Sequence, residues 1–221
     1  MEPNTALRNQ ARESLRGQWG MGVAATLILM LISFVAQTPN YLSDFMEYVL
    51  YANSGTLFTL RSISLCLLLL YLPLAWGYAI LFLRNLRGEP VGVERLFDGY
   101  RNFTRVFTTY LLQTAYVMLW SLLLIVPGFV KALSYAMTPY ILLDEPTLSK
   151  NAAIERSMDM MRGYKAKLFL LYLSFIGWGL LCIITCGIGT LWLYPYIYTA
   201  QAAFYEDVRC DYEQRTFVAQ D

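Results

Sequence analysis

Long stretches without charged residues recur along the chain, and short segments rich in Lys, Arg, Asp and Glu separate them. A helix needs about 20 apolar residues to cross the roughly 30 Å hydrocarbon core of a bilayer. The pattern therefore predicts six membrane-spanning helices, at residues 19–38, 62–83, 106–127, 128–143, 168–185 and 188–205. Because only helices and closed barrels span bilayers, we expect an all-α fold, a polytopic bundle that forms one domain over residues 1–221.

The fourth span and the last pair of spans are less regular than the others. Residues 128–143 form a short segment that contains Lys131, so we expect it either to cross the membrane or to re-enter it. Residues 168–205 hold 38 positions without a charge. That length exceeds one crossing and suits two, with a tight turn at residues 186–189, which read Cys-Gly-Ile-Gly.

The charged residues between the spans predict the orientation. If the N-terminal segment lies in the cytoplasm and the spans alternate, 15 of the 17 Lys and Arg residues fall on the cytoplasmic side, and Arg61 and Lys131 fall outside. Cytoplasmic loops of membrane proteins carry an excess of Lys and Arg. We therefore expect a multi-pass protein with both termini in the cytoplasm.

Three cytoplasmic segments have apolar residues at helical spacing, so we expect amphipathic helices that lie on the membrane surface. They are residues 5–16, 96–107 and 147–163. In the first, Arg8, Arg12 and Arg16 recur every four residues, a spacing that suits contact with anionic lipid headgroups. A plain anchor that fixes the orientation is the alternative. In the last segment, Gly163 is expected to end the helix.

Composition excludes several classes of function. The chain is 57% hydrophobic and 15% charged with a net charge of +1, so it lacks the basic character of a nucleic-acid-binding protein. It contains no histidine, the commonest metal ligand and general base. It also contains no phosphate-binding loop, zinc-protease motif or serine-hydrolase motif. We expect no catalytic residue, no metal, no cofactor and no nucleic-acid partner, and we expect the protein not to be an enzyme.

Residues near the end of the third span are the first candidates for function. Pro127 and Gly128 predict a break, because Pro lacks an amide donor and Gly accepts unusual backbone angles. Such a break either frees carbonyl groups to line a cavity or forms a tight hairpin turn. Lys131 is a charge at membrane depth, which marks a functional site unless its long side chain reaches the headgroups.

Polar residues elsewhere in the second half are further candidates. Gln113 lies in the third span, where its amide either bonds to a neighbouring helix or contacts a substrate. Asp144 and Glu145 follow the fourth span and form either a polar stop or the partners of Arg156 or Arg162.

An internal repeat relates the two halves of this region. The sequence Trp-Ser-Leu-Leu-Leu-Ile at 120–125 parallels Trp-Gly-Leu-Leu-Cys-Ile at 178–183, and Pro-Tyr-Ile follows at 139–141 and at 195–197. The pattern indicates a helical hairpin used twice in parallel sense, and chance similarity between two Leu-rich spans is the alternative.

Several phrases in the second half resemble a known family. They include Ile-Val-Pro-Gly-Phe-Val-Lys at 125–131, Tyr-Ile-Leu-Leu-Asp-Glu-Pro at 140–146 and Thr-Cys-Gly-Ile-Gly at 185–189. In this order they are similar to the DUF975 family of bacterial membrane proteins of uncharacterised function. The resemblance covers about residues 105–205 and extends more weakly to 16–19 and 96–99. It implies a multi-span protein of the bacterial inner membrane and implies no activity.

Three functions remain open at this point. The first is a non-enzymatic scaffold, assembly or regulatory component of the bacterial envelope, with the lipid bilayer and other membrane proteins as partners. The second is a small transporter or channel with a site near Pro127 and Gly128. The third is an enzyme acting on lipid, which the lack of an evident nucleophile or base disfavours. The oligomeric state stays open.

Overall fold

The structure, a computed structural model, describes residues 2–50 and 53–218. These residues form helices and no strand, which confirms the predicted all-α fold. The α-helices are α1 (Asn4–Ser14), α2 (Trp19–Leu50), α3 (Ser54–Leu86), α4 (Asp98–Arg101), α5 (Phe103–Leu123), α6 (Ile125–Ser134), α7 (Thr138–Asp144), α8 (Lys150–Met160), α9 (Lys165–Leu173), α10 (Ile176–Ile184) and α11 (Thr190–Val218). A short 3-10 helix, Val93–Phe97, precedes α4.

Within the part of the chain that the structure describes, five helical stretches are long and apolar enough to cross a membrane. They are Trp19–Val49, Ser54–Leu86, Phe103–Leu123, Ile125–Asp144 and Lys165–Ile184. The chain is therefore a membrane helix bundle. The fourth stretch combines α6 and α7, and the fifth combines α9 and α10, so two of the five are interrupted helices.

The sixth predicted span, 188–205, lies in the first part of α11, which is not among the five stretches. The uncharged part of α11, 190–205, spans only about 24 Å at 1.5 Å per residue, and its many tyrosines make it less apolar than the other spans. This part of α11 nevertheless packs beside α9 and α10, as the return helix of a hairpin does. The chain turns at 185–189, as expected, and the amino group of Lys167 lies 3.2 Å from a carboxylate oxygen of Asp207.

The buried core lies toward one end of the bundle. It combines the second half of α3, the whole of α7 and the middle of α11, with large side chains such as Tyr78, Phe82, Tyr140 and Phe204 fully buried. The Tyr78 hydroxyl lies 2.7 Å from the Thr26 hydroxyl of α2. In this way α2 joins the core through a polar contact as well as through its apolar face.

The amphipathic helix α1 packs on protein rather than lying on the membrane surface with its apolar face in lipid. Leu7, Ala11 and Leu15 share one face, as the sequence predicts, and all three are buried. That face contacts α11, α3 and α9. The backbone amide of Glu2 donates to Asp207, so the N-terminal segment and the charged part of α11 lie at the same end of the bundle.

The other two predicted surface segments also differ from expectation. Helix α8 buries Ala153, Ile154 and Ser157 against α7 and its neighbours, because these small and apolar residues fit between helices. Segment 96–107 is not one helix, since the chain leaves helical geometry at Asn102. Its aromatic residues still stack in a row, with ring centroids 5.1–6.3 Å apart: Phe97, Tyr100, Phe103 and Phe107.

The interruption between α6 and α7 exposes backbone groups that side chains from three other helices satisfy. Ser157 of α8 donates to the carbonyl of Ser134 at 2.8 Å and accepts from the amide of Met137 at 3.2 Å. Gln201 of α11 donates to the carbonyl of Ala136, and Trp76 of α3 donates to the carbonyl of Pro139. Because an unsatisfied backbone group away from water is costly, these bonds fix α7 between α3, α8 and α11.

Helices α2 and α3 form a hairpin that extends far beyond this core. At 32 and 33 residues, each is about 50 Å long, whereas the hydrocarbon core of a bilayer measures roughly 30 Å. Pro39 lies within α2 without ending it, and Asn53 caps α3 by accepting a hydrogen bond from the amide of Thr56 at 2.8 Å. The hairpin therefore continues as helix past the predicted span 19–38.

We expect Gly77→Ala to lower the free energy of unfolding by about 1–3 kcal/mol, because a Cβ at Gly77 would overlap the carbonyl oxygen of Leu96. Thermal unfolding of the purified protein in detergent measures this. Gly177→Ala is the control, since no atom lies within 4 Å of its added Cβ. Equal melting temperatures for the two variants would show that α3 and the 3-10 helix do not approach closely.

Candidate functional site

Asp144, at the end of α7, is the centre of a cluster of ion pairs. Arg87 of α3 binds both of its carboxylate oxygens, each at 2.7 Å. Arg209 of α11 donates to Oδ2 at 2.8 Å, and so does the hydroxyl of Tyr205 at 2.8 Å. The Asp144 side chain is only 16% exposed. The cluster therefore joins the ends of α3 and α7 to α11.

Helix electrostatics explains part of this arrangement. The C-terminal end of a helix carries partial negative charge, which favours Arg87 just beyond the end of α3 and disfavours Asp144 at the end of α7. The guanidinium groups of Arg87 and Arg209 compensate for the unfavourable position of the Asp144 carboxylate. Hydrogen bonds to Asp144 and Glu206 outweigh burial and raise the pKa of Arg87 above its already high value. Arg87 thus stays charged at any physiological pH.

A second layer of polar contacts surrounds the cluster. Arg105 of α5 donates to the carbonyls of Leu142 and Glu145, at 2.9 and 2.7 Å, and so caps the end of α7. Arg156 pairs with Glu145 at 3.0 Å. The sequence left open whether Asp144 and Glu145 form a polar stop or pair with arginines. In the structure Glu145 pairs with Arg156, and Asp144 pairs with Arg87 and Arg209.

A polar cavity of about 340 Å³ adjoins the cluster between α7, α8 and α11. Its walls include Asp144, Glu145, Arg156, Tyr205, Arg209 and Tyr212. The guanidinium of Arg156 lies 5.1 Å from the ring centre of Tyr212, a cation–π contact. Since the charged groups in these walls bind one another, the arrangement holds the ends of α7 and α8 against α11.

Pro127 and Gly128 do not form the break that the sequence predicts. The chain leaves helical geometry earlier, at Leu124, whose backbone is extended, and Pro127 lies in the first turn of α6, where its missing amide costs nothing. A Cβ at Gly128 would overlap Ser121 of α5. Gly128 therefore allows α5 and α6 to pack closely as a hairpin.

Lys131 and Gln113 lie on this hairpin. The ammonium of Lys131 sits 5.0 Å from the ring centre of Trp120, so an aromatic face holds the charge at this depth. The Oε1 atom of Gln113 is buried and has no hydrogen-bond partner among the described residues. The structure does not bring either residue to Asp144 or Arg156, so the predicted candidates do not form one site.

The remaining candidates lie at the ends of α1 and α8. Arg8 contacts protein, with its guanidinium 5.3 Å from the ring centre of Phe175 and 3.4 Å from the Tyr196 hydroxyl. Arg12 and Arg16 are exposed. Gly163 has a positive φ of 89° just past α8, so it ends the helix as predicted.

Sequence reasoning missed the residues that bind Asp144 and the interrupted helix. The sequence pattern marks four of these residues only as charges in loops or as members of a span: Arg87, Arg105, Tyr205 and Arg209. Each lies close to the end of a predicted span, where polar residues often make structural contacts. Contacts between the ends of different spans leave no pattern along the sequence, so the pairs themselves could not be predicted. Ser157 gave no signal beyond its small size. Within residues 2–50 and 53–218, no cluster of Cys, Asp and Glu could hold a metal ion.

We expect Asp144→Asn to lower the free energy of unfolding by about 3 kcal/mol, because it leaves two arginines partly buried without their carboxylate. Asp159→Asn is the control, since Asp159 pairs with Arg162 at an exposed position, where such pairs contribute less than about 1 kcal/mol. Chemical or thermal unfolding in detergent measures both. If Asp144→Asn is no less stable than Asp159→Asn, the cluster does not hold the helix ends together.

The comparisons with known proteins agree with the sequence resemblance. A family model described as "Protein of unknown function (DUF975)" matches residues 1–134 and 123–211. No curated protein and no solved structure matches the chain. Since the matched segments cover nearly the whole chain, this membrane helix bundle belongs to the DUF975 family.

Proposed function

We propose that the protein is a non-enzymatic component of the bacterial inner membrane that holds or regulates another membrane protein. The observation that carries the proposal is the far end of the α2–α3 hairpin, which we term the hairpin tip, residues 39–49 and 53–61. Its large apolar side chains are exposed, among them Tyr41, Phe45, Tyr48 and Phe58. They lie beyond the length of helix that a bilayer covers.

Charges within the hairpin tip support its placement outside the hydrocarbon core. Arg61 of α3 pairs with Glu47 of α2 at 2.6 Å and with Asp44 at 3.5 Å, and all three side chains are about half exposed or more. Charged side chains are costly at bilayer depth and ordinary in water. Side chains such as Tyr48, which is 82% exposed, therefore form an apolar patch in contact with water, and such patches mark protein interaction sites.

The reactive groups of the bundle serve its structure, which also supports a role without covalent chemistry. Ser157 bonds to backbone groups on both sides of the interruption between α6 and α7. Asp144 is bound by Arg87, Arg209 and Tyr205. Both residues therefore make bonds within the protein that stabilise the position of α7, which supports a structural role for them.

We expect a photo-reactive benzoylphenylalanine at Tyr48 or Phe58 to form covalent adducts with the same membrane protein in whole membranes, because both positions lie on the hairpin tip. Leu31 of α2 is the matched control, since it is exposed but lies within the predicted span, where it faces lipid. Mass spectrometry identifies the adducts. Phe45→Ser is expected to reduce the adducts from both positions.

A specific contact at the hairpin tip would be contradicted if the probe at Leu31 gave the same yield of protein adducts as the probes at Tyr48 and Phe58. The absence of protein adducts from the tip when the variants reach normal levels would also contradict it. Survival of the adducts in the Phe45→Ser variant would show that the exposed apolar patch does not hold the partner.

The proposed orientation has both termini in the cytoplasm. In a variant without native cysteines, Asn53→Cys is expected to react with a membrane-impermeant maleimide in intact cells, because it lies at the hairpin tip. Ser149→Cys and Thr216→Cys are expected to react only after permeabilisation, since the proposed orientation places both positions on the cytoplasmic side. Labelling of Thr216→Cys in intact cells would show that α11 does not return to the side of Ser149.

A small transporter is the second candidate function. The feature that favours it is not the predicted break at Pro127 and Gly128. A cavity of about 460 Å³ lies between α2, α3 and α11, and its walls carry Gln37, Tyr71, Tyr78, Tyr194 and Tyr198. Hydroxyl and amide groups at membrane depth suit a polar solute. At the α5–α6 hairpin Gly128 packs closely against Ser121, so a transport site is proposed in this cavity and not beside Pro127 and Gly128.

A further inference from the structure

A third cavity, of about 400 Å³, lies at the opposite end of α2 from the hairpin tip. It is formed where α1 and the first turn of α2 meet the hairpin of α10 and α11. We term it the tryptophan cavity, and its walls are Arg12, Trp19, Trp178, Leu181, Cys182, Thr185, Gly189, Trp192, Leu193 and Tyr196.

The walls of the tryptophan cavity are mainly apolar. Trp19, Trp178 and Trp192 account for three of the five tryptophans in the chain. Trp178 and Trp192 are about half exposed, so the cavity opens at the side of the bundle. Tryptophan favours the zone where lipid headgroups meet acyl chains, since its ring is apolar and its indole N–H is polar.

Positive charge lies at the edge of the tryptophan cavity without a carboxylate to balance it. Arg12 forms part of the wall. Arg8, one turn earlier in α1, lies 3.4 Å from the hydroxyl of Tyr196, another wall residue. Neither arginine has an ion pair among the described residues, whereas Arg84, Arg87, Arg156 and Arg209 each pair with at least one carboxylate.

We propose that the tryptophan cavity binds an anionic glycerophospholipid of the surrounding membrane. The acyl chain occupies the apolar walls, and the phosphate accepts hydrogen bonds from Arg12 and Arg8. Guanidinium groups bind phosphate through charge-assisted hydrogen bonds, and apolar walls exclude a free phosphate ion as the natural occupant. A volume of about 400 Å³ lies within the usual range for small-molecule sites. This inference does not depend on the hairpin tip or on the proposed partner.

Quenching of tryptophan fluorescence by lipids with brominated acyl chains tests the proposal. The full chain carries Trp120→Phe and keeps Trp76, which is buried in the core and bonds to Pro139, so that changes in emission report on Trp19, Trp178 and Trp192. Mixed vesicles contain brominated phosphatidylglycerol, which is anionic, or brominated phosphatidylcholine, which is zwitterionic, at matched mole fractions. We expect half-maximal quenching at a mole fraction roughly three- to tenfold lower for phosphatidylglycerol. Equal quenching by the two lipids would overturn the proposal.

Two arginine variants separate a lipid site from general surface charge. Arg12→Gln is expected to remove most of the preference for phosphatidylglycerol. Arg16→Gln makes the same change in charge at an exposed position four residues away that does not line the cavity. It is expected to keep the preference. An equal loss in both variants would show that the charge of the N-terminal segment attracts the lipid, and the cavity assignment would fail.

Two further measurements address folding and the source of the anion. Gel filtration and the emission spectrum establish that each variant is folded, and Arg12→Lys, which keeps the charge but loses the paired donors, is expected to retain part of the preference. Millimolar glycerol phosphate, which has no acyl chain, is expected to leave the quenching unchanged. Relief of quenching by glycerol phosphate would overturn the assignment to a lipid.

Discussion

The interruption between α6 and α7 sets the main constraint on this fold. A backbone that leaves helical geometry away from water must find other hydrogen-bond partners for its amides and carbonyls. Here the partners are the side chains of Trp76, Ser157 and Gln201, which come from α3, α8 and α11. Each of these helices must therefore lie against α7. The arrangement of the core follows from this requirement, and the apolar packing fills the space that it leaves.

The ion pairs at Asp144 and the bonds at the interruption act on the two ends of one short helix. Both ends of α7 are thereby fixed, and α7 itself is almost entirely buried. Two surfaces lie away from the core: the exposed apolar side chains of the hairpin tip at one end of α2, and the tryptophan cavity at the other.

The sequence predicts the features of this fold that repeat along the chain, and it misses those that depend on pairing across it. Runs of apolar residues predict the all-α bundle, the turn near Gly187 and the apolar face of α1, because each follows from local periodicity. They do not predict that this face packs against α11 instead of lipid. The break expected at Pro127 lies instead at Leu124, since Pro fits the first turn of a helix as well as it ends one. The partners of Asp144 could not be predicted, because Arg87 and Arg209 lie 57 and 65 residues away.

The contact between α1 and α11 has a consequence for biosynthesis. The face of α1 formed by Leu7, Ala11 and Leu15 is buried against a helix that begins only at Thr190. At roughly 5–20 residues per second, the ribosome supplies that helix on the order of ten to forty seconds after α1 has emerged. During this interval the membrane surface is the nearest apolar phase for that face, so its amphipathic pattern serves the nascent chain before it serves the folded bundle.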